Sequence, residues 1–222
     1  MATTIIDLHT HTRWGSQCAY MTPDELVQRA KAIGLNGVCI TEHNQLWSPE
    51  AIESLSRRHG FLVIGGVEVS TDVGEILVFG LHESVVRVYD SRELREMVDR
   101  ANGAMVAAHP FRGLAVPSPS NSEHGLSVED GMRRPVFSVV EAIEVYNGMA
   151  GHWEQRFAGE VSARLKLGGT GGSDAHAVLG VGSGVTIFDG EIRSEEDLVA
   201  ALRVGQFRGA DGRRLPELRL RG

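Results

Sequence analysis

Short apolar runs rich in Val, Ile and Leu alternate along the chain with longer segments whose apolar residues recur every three or four positions. The runs fall at 5–8, 37–41, 62–67, 76–81, 104–108, 142–146 and 166–169, and their length and composition predict strands. The longer segments predict helices with legible ends. Thr22-Pro23-Asp24-Glu25 combines a capping box with proline at the first helical position, and Gly34 marks the stop. Between them Leu26, Ala30 and Ile33 give one buried face. Ser48-Pro49 opens a second helix that ends before Gly60, and Ser91 a third that ends near Asn102-Gly103. Trp153, Phe157, Val161 and Leu165 form a stripe on a fourth, which reads as core packing, and Ser194 caps a last helix that stops at Gly205.

Strands alternating with helices place the chain in the α/β class with a mostly parallel sheet, and seven strands predict a closed or nearly closed barrel. No linker or repeat divides it, so a single domain is expected over 1–208. Residues 112–135, rich in Pro, Ser and Gly between strands five and six, are long for a plain connection and make a candidate substrate lid. The Arg-rich stretch 209–222 reads as a flexible C-terminal tail.

Composition narrows the function classes. No apolar run is long enough to span a bilayer, so no membrane partner is expected. Met1 to Asp7 lacks the basic start and long apolar stretch of a signal peptide, which points to a cytoplasmic protein. The two cysteines, Cys18 and Cys39, agree with a reducing compartment. A net charge of −7 argues against nonspecific binding of duplex DNA. It leaves an anionic substrate open, because bound cations reverse the local sign.

Six of the nine histidines fall at or just past the end of a predicted strand: His9, His11, His43, His82, His109 and His176. Strand three ends in Glu68, and strand seven runs into Asp174. In a barrel of parallel strands all these ends open on one face. Side chains two apart on a strand point the same way, so His9 and His11 can grip one ion, with Asp7 beneath them as a supporting partner. Imidazole and carboxylate together suit Zn, Mn or Fe, and the lack of a cysteine cluster argues against a structural zinc knot. His59, His124 and His152 lie elsewhere and read as solvated. Arg112, just after His109-Pro110-Phe111, is placed for a bidentate contact with phosphate. Asn147, past strand six, reads as a helix cap.

Asp7-x-His9-x-His11, Thr41-Glu42-His43, Gly66-Val67-Glu68, His109-Pro110 and Gly172-Ser173-Asp174-Ala175-His176 resemble, in order, the motifs of the polymerase and histidinol phosphatase (PHP) family. The resemblance runs from residue 5 to about residue 205. It implies a distorted seven-stranded β/α barrel that uses two or three divalent metal ions to hydrolyse phosphate esters. By that resemblance His9, His11, Glu68 and Asp174 would hold a first ion. Glu68 would bridge to a second completed by His82 and His109, and His43 and His176 would serve a third. Members with three metals often carry a further histidine shortly after the His-x-His pair. Arg13 to Tyr20 has none, and Cys18 near that position reads as a small buried residue rather than a thiolate ligand. Glu42 stands where the family more often has Asp.

The function expected is hydrolysis of a phosphorylated small metabolite or nucleotide by a metal-activated hydroxide. Arg112 would bind the phosphoryl group, and Asp174 or a histidine such as His176 would pass a proton to the leaving alcohol. Two rivals stand beside it: a metal-dependent hydrolase of C–N or C–O bonds, and a catalytically silent metal-binding module.

Overall fold

The computed structural model describes residues 3–118 and 125–220. Nine strands form one sheet in the order β7-β6-β5-β4-β3-β2-β1-β8-β9. They are β1 (Thr4–Asp7), β2 (Gly37–His43), β3 (Leu62–Thr71), β4 (Gly74–Phe79), β5 (Ala104–Ala107), β6 (Ala142–Asn147), β7 (Gly168–Gly172), β8 (Gly184–Phe188) and β9 (Phe207–Asp211). The helices are α1 (Pro23–Ile33), α2 (Pro49–His59), α3 (Ser91–Arg100), α4 (Val128–Met132), α5 (His152–Leu165) and α6 (Glu195–Val204). The sheet curls into a nearly closed barrel. A parallel bridge between Thr10 and Ala175 ties the chain beyond β1 to the chain beyond β7. Below it the Thr186 hydroxyl on β8 donates to the Gly171 carbonyl on β7 and accepts from the Gly171 N–H.

Helix ends follow the sequence closely. Thr22 makes the full capping box with Glu25, and Gly34 closes α1 at φ 94°, a left-handed conformation that suits glycine. Ser48 and Ser194 cap α2 and α6. For α3 the cap is Asp90, one residue before the expected Ser91. The stripe on α5 is core at Phe157 and Val161, while Trp153 stays partly exposed.

The core has three parts. Ile6, Leu8, Leu77, Phe79 and Val106 cluster with Leu198, Val199 and Leu202 of α6. Leu26, Ala30 and Ile33 of α1 and Leu55 of α2 pack with Val38, Ile40 and Val63 of the sheet. Leu94 and Val98 of α3 and Phe157 and Val161 of α5 pack with Val67, Ile76, Val78 and Ile143.

Three expectations change here. The sheet has nine strands rather than seven, four of its eight strand pairings are antiparallel where a mostly parallel sheet was expected, and the chain from 209 is not a loose tail. Phe207–Asp211 pairs antiparallel with β8 over five residues, Leu218 is buried, and the Arg219 N–H donates to Ile33 O. Strand β4 also runs opposite to β3 and β5. Only Asp72 and Val73 separate β3 from β4, and a parallel crossover needs roughly a dozen residues or more. Of the candidate lid, 119–124 lie outside the described residues, as does the expectation for His124. The remainder includes α4, whose Gly131 lies against the Phe157 ring of α5.

Candidate metal centre

Five of the six strand-end histidines and both carboxylates meet at one mouth of the barrel. Glu68, 1% exposed, divides its oxygens between two pairs of rings. Its Oε1 lies 3.0 Å from His109 Nε2 and 3.3 Å from His9 Nε2, while Oε2 lies 2.8 Å from His43 Nδ1 and 3.5 Å from His11 Nε2. Asp174 Oδ1 is 3.2 Å from His11 Nε2, 3.6 Å from His9 Nε2 and 3.6 Å from His176 Nδ1. His11 also stacks against His43 and His176, with ring centroids 4.3 and 4.4 Å apart. Arg112 forms an ion pair with Asp174 Oδ2 through Nη1. All six candidate positions on β1, β2, β3, β7 and their loops thus fall together with His109 and Arg112.

His82 does not. Because β4 is reversed, its end points away from the mouth, and His82 is an exposed residue paired with Glu195 at 3.1 Å. The same reversal brings the start of β4 to the site. Glu75 Oε2 lies 3.6 Å from His109 Nε2, and Glu75 can share an ion with His43 and Glu68. Cys18 is exposed rather than buried. His11, His43 and His176 form a ligand group without it. Of the histidines set aside, His59 is not simply solvated, since its Nε2 lies 2.7 Å from Asp24.

A second layer of side chains orients these groups. Glu144, buried on β6, lies 3.0 Å from His9 Nδ1, and its other oxygen accepts from the His109 N–H at 2.8 Å. Asn147 donates to that oxygen at 2.9 Å and accepts from the Met149 N–H, so it supports Glu144 and does not cap α5, whose N-cap is Gly151. Sequence reasoning passed over Glu144. The signal was there: a carboxylate inside the apolar run Ala142-Ile143-Glu144-Val145. Gly172 is obligatory at this point, because a Cβ would run into His9 and the Glu144 carboxylate. Asp7 accepts from the N–H groups of Ser173 and Gly182, both at 2.8 Å, and so fastens the Asp174 turn under His9. Glu42, fully buried, accepts from Thr12 N–H, Thr12 Oγ1 and Ser16 Oγ. Ser16 Oγ lies 3.3 Å from His11 Nδ1, so Glu42 holds His11 through the 12–16 turn. His109 and Asp174 have φ of 26° and 55°. Left-handed backbone at two non-glycine residues costs energy and is typical of sites whose geometry is imposed by their surroundings.

The electrostatics call for a cation. Burial disfavours a charged His9, yet Glu68, Glu144 and Asp174 around it hold its pKa well above the ordinary value. Burial dominates at His11, whose pKa falls to about 4. Burial would raise Glu68 and Asp174, but His9 and the neighbouring rings keep both below the usual carboxylate range. Nε2 of His9 and of His11 are buried and face only carboxylate oxygens, with no well-formed hydrogen bond among the described residues. Buried imidazole lone pairs without donors, beside clustered carboxylates, fit divalent metal ions. The sets His9–His11–Asp174 and His11–His43–His176 each bring three ligand atoms within 4.8 Å of one another.

A nearly closed α/β barrel with this cluster at its mouth defines a metal-dependent hydrolase. The family model described as the PHP domain matches residues 7–113, and the PHP-associated model matches 152–207. The chain belongs to the PHP family. Its fold is similar to that of a two-domain protein of Bacteroides vulgatus containing a predicted PHP-like metal-dependent phosphoesterase. There the identity is 19% and the TM-score 0.69, over 94% of this chain and 65% of that one. An amidohydrolase of Chromobacterium violaceum with bound sulfate is 17% identical, with a TM-score of 0.59 over 78% of this chain and 87% of that one. The lesion-specific endonuclease of Pyrococcus furiosus is 16% identical, with a TM-score of 0.59 over 94% and 58%. At these identities the likeness is one of fold.

Proposed function

We propose that the chain hydrolyses phosphate esters of a small metabolite or nucleotide, using two or three divalent ions, Mn, Zn or Fe, at this mouth. The observation that carries the reading is the split of Glu68 between two pairs of histidines, which is the geometry of a bridging carboxylate. His9, His11, Glu68 and Asp174 would hold one ion, Glu68 and His109 a second, and His43 and His176 a third with His11. Glu75 takes the place that His82 leaves. Bound ions of this kind supply an acidified water and neutralise phosphoryl charge.

The chain's own groups do the rest. Arg112, 36% exposed and directly beside Asp174, offers a guanidinium edge to a phosphoryl oxygen. Water oxygen bonds to phosphorus, the ester P–O bond breaks, and the alcohol leaves with a proton. Asp174 or His176, half-buried at the mouth, would deliver that proton. Glu144 and Ser16 fix the rings of His9 and His11 from behind. Amide hydrolysis is the second reading, since an amidohydrolase shares the fold and fold does not decide chemistry. Arg112 favours phosphate. Among the described residues no helix is long and apolar enough to cross a membrane.

The test is elemental analysis of protein grown and assayed with ample manganese, followed by panels of phosphate esters and amides. At least two ions per chain and phosphate release abolished by a chelator are expected. Fewer than one ion per chain, or turnover of amides alone, would overturn the reading.

A further inference from the structure

We propose that Trp14, stacked on Trp47 at the rim of the metal mouth, is a platform for a planar ring, which directs the enzyme to phosphate esters of nucleosides. The inference rests on the phosphoesterase reading and names its substrate class. The two indoles lie nearly parallel, 6° apart in plane with centroids 5.7 Å apart. Trp47 is partly buried and packs on the cluster formed by α1, α2 and the sheet, so it is anchored. Trp14 is 59% exposed. With one face on Trp47, it offers its other face to an incoming ring. Such an arrangement costs a ligand little ordering, because the platform is already assembled.

Its location ties it to the chemistry. Trp14 follows His11 by three residues, in the turn that Glu42 fastens through Thr12 and Ser16. Trp47 follows His43 by four residues, and the His11 and His43 rings are themselves stacked at 4.3 Å. The indole pair therefore rides on the two segments that carry neighbouring metal ligands. The rim continues in the same character. Tyr20 is 80% exposed, and its backbone N–H donates to His176 O at 2.8 Å. Leu179, 82% exposed, sits three residues beyond His176. Large apolar side chains left in water around a polar mouth mark a binding surface. The parallel indoles select a flat aromatic group over an aliphatic one. Stacking also tolerates any base, because each has a π-face, so the platform sets the class of substrate rather than the identity of the base.

The experiment uses the full-length, metal-loaded protein with 5′- and 3′-adenosine monophosphate and with glycerol 3-phosphate as the ring-free control. The nucleotides should quench indole emission in the native protein and lose most of that quenching in Trp14→Ala, while glycerol 3-phosphate does neither. In hydrolysis, Trp14→Ala should raise KM for the nucleotides roughly ten- to a hundredfold with kcat little changed. The glycerol ester should be unaffected, and Trp14→Phe should restore most of the loss. Absent quenching, or an equal KM change for both kinds of ester, overturns the platform and leaves the phosphoesterase reading standing. Trp14-dependent quenching without hydrolysis of any ester supports the platform and removes the reading beneath it.

Discussion

Two carboxylates within reach of the same imidazole do different work in this site. Glu68 faces four histidine rings with its two oxygens, whereas Glu144 touches His9 from behind and holds the His109 backbone. Replacing either by an amide keeps the shape and removes one charge. Glu68→Gln should release at least one ion and reduce kcat/KM well beyond the roughly 10–100-fold typical of losing an outer partner. Glu144→Gln should stay within that range and keep its metals, because the amide oxygen can still accept from His9 Nδ1 and only the bonds from the His109 N–H and Asn147 lose their acceptor. Metal content and rates for the two variants at saturating manganese decide it; equal losses would remove the bridging assignment. Most of the cluster was legible in the sequence because histidines at so many successive strand ends have no bland explanation together, though His82 was lost to the reversal of β4. Glu144 was not legible, since strand-end reasoning looks beyond a strand and never inside it.

At the scale of elements, the 12–16 turn shows why a familiar residue pair can mislead. Glu42 reads from the sequence as a variant of the aspartate more usual in the family, so that Glu42→Asp looks neutral. In the fold its full length is used, reaching Thr12 and Ser16 at once and through Ser16 the back of His11. Gly15 permits this approach, as a Cβ there would strike the Glu42 side chain. Glu42→Asp should therefore weaken metal binding by roughly ten- to a hundredfold and lower Tm, as buried hydroxyls lose an acceptor. Metal titration and thermal melts read both effects, and an unchanged variant would show that the turn holds without Glu42. Strand direction was the element-level property least legible. Runs at 62–67 and 76–81 leave a gap wide enough to hide a hairpin, and only the longer observed strands reveal that two residues join them. β9 was hidden for another reason. Phe207-Arg208-Gly209-Ala210-Asp211 has no apolar run, and it is a strand because β8 offers it a free edge.

For the whole molecule, the last residues belong to the barrel rather than hanging from it. Phe207 packs into the cluster that holds Leu77, Phe79 and Leu202, and Leu218 enters the one beneath α1. Phe207→Ala should cost about 3–5 kcal/mol, the usual range for emptying a buried aromatic site. Urea denaturation followed by circular dichroism measures it. A loss below about 0.5 kcal/mol, the level of an ordinary surface change, would return the segment to a tail. The α/β class and the single barrel were legible from alternation alone, since helices and strands of these lengths have few ways to bury their apolar faces. Closure was expected as well, but not the contacts that make it, since no periodicity announces the Thr186 hydroxyl on Gly171 or the Thr10–Ala175 bridge.

The reversed β4 also decides where this chain tolerates a change of length. Glu68 and Glu75 lie on the two arms of one hairpin, with Ser70 opposite Glu75 and Thr71 opposite Gly74 across the Asp72–Val73 turn. One residue inserted there would slip the pairing by one position and turn Glu75 to the other side of the sheet, while Glu68 kept its place. Beyond Phe79 the chain leaves the mouth, and the stretch up to Asp90 holds no ligand to misplace. Epitopes, linkers or fluorescent labels therefore belong in that connection, at the exposed Glu83 and Ser84 ahead of the buried Val85, and not at the tighter turn nearer the chemistry.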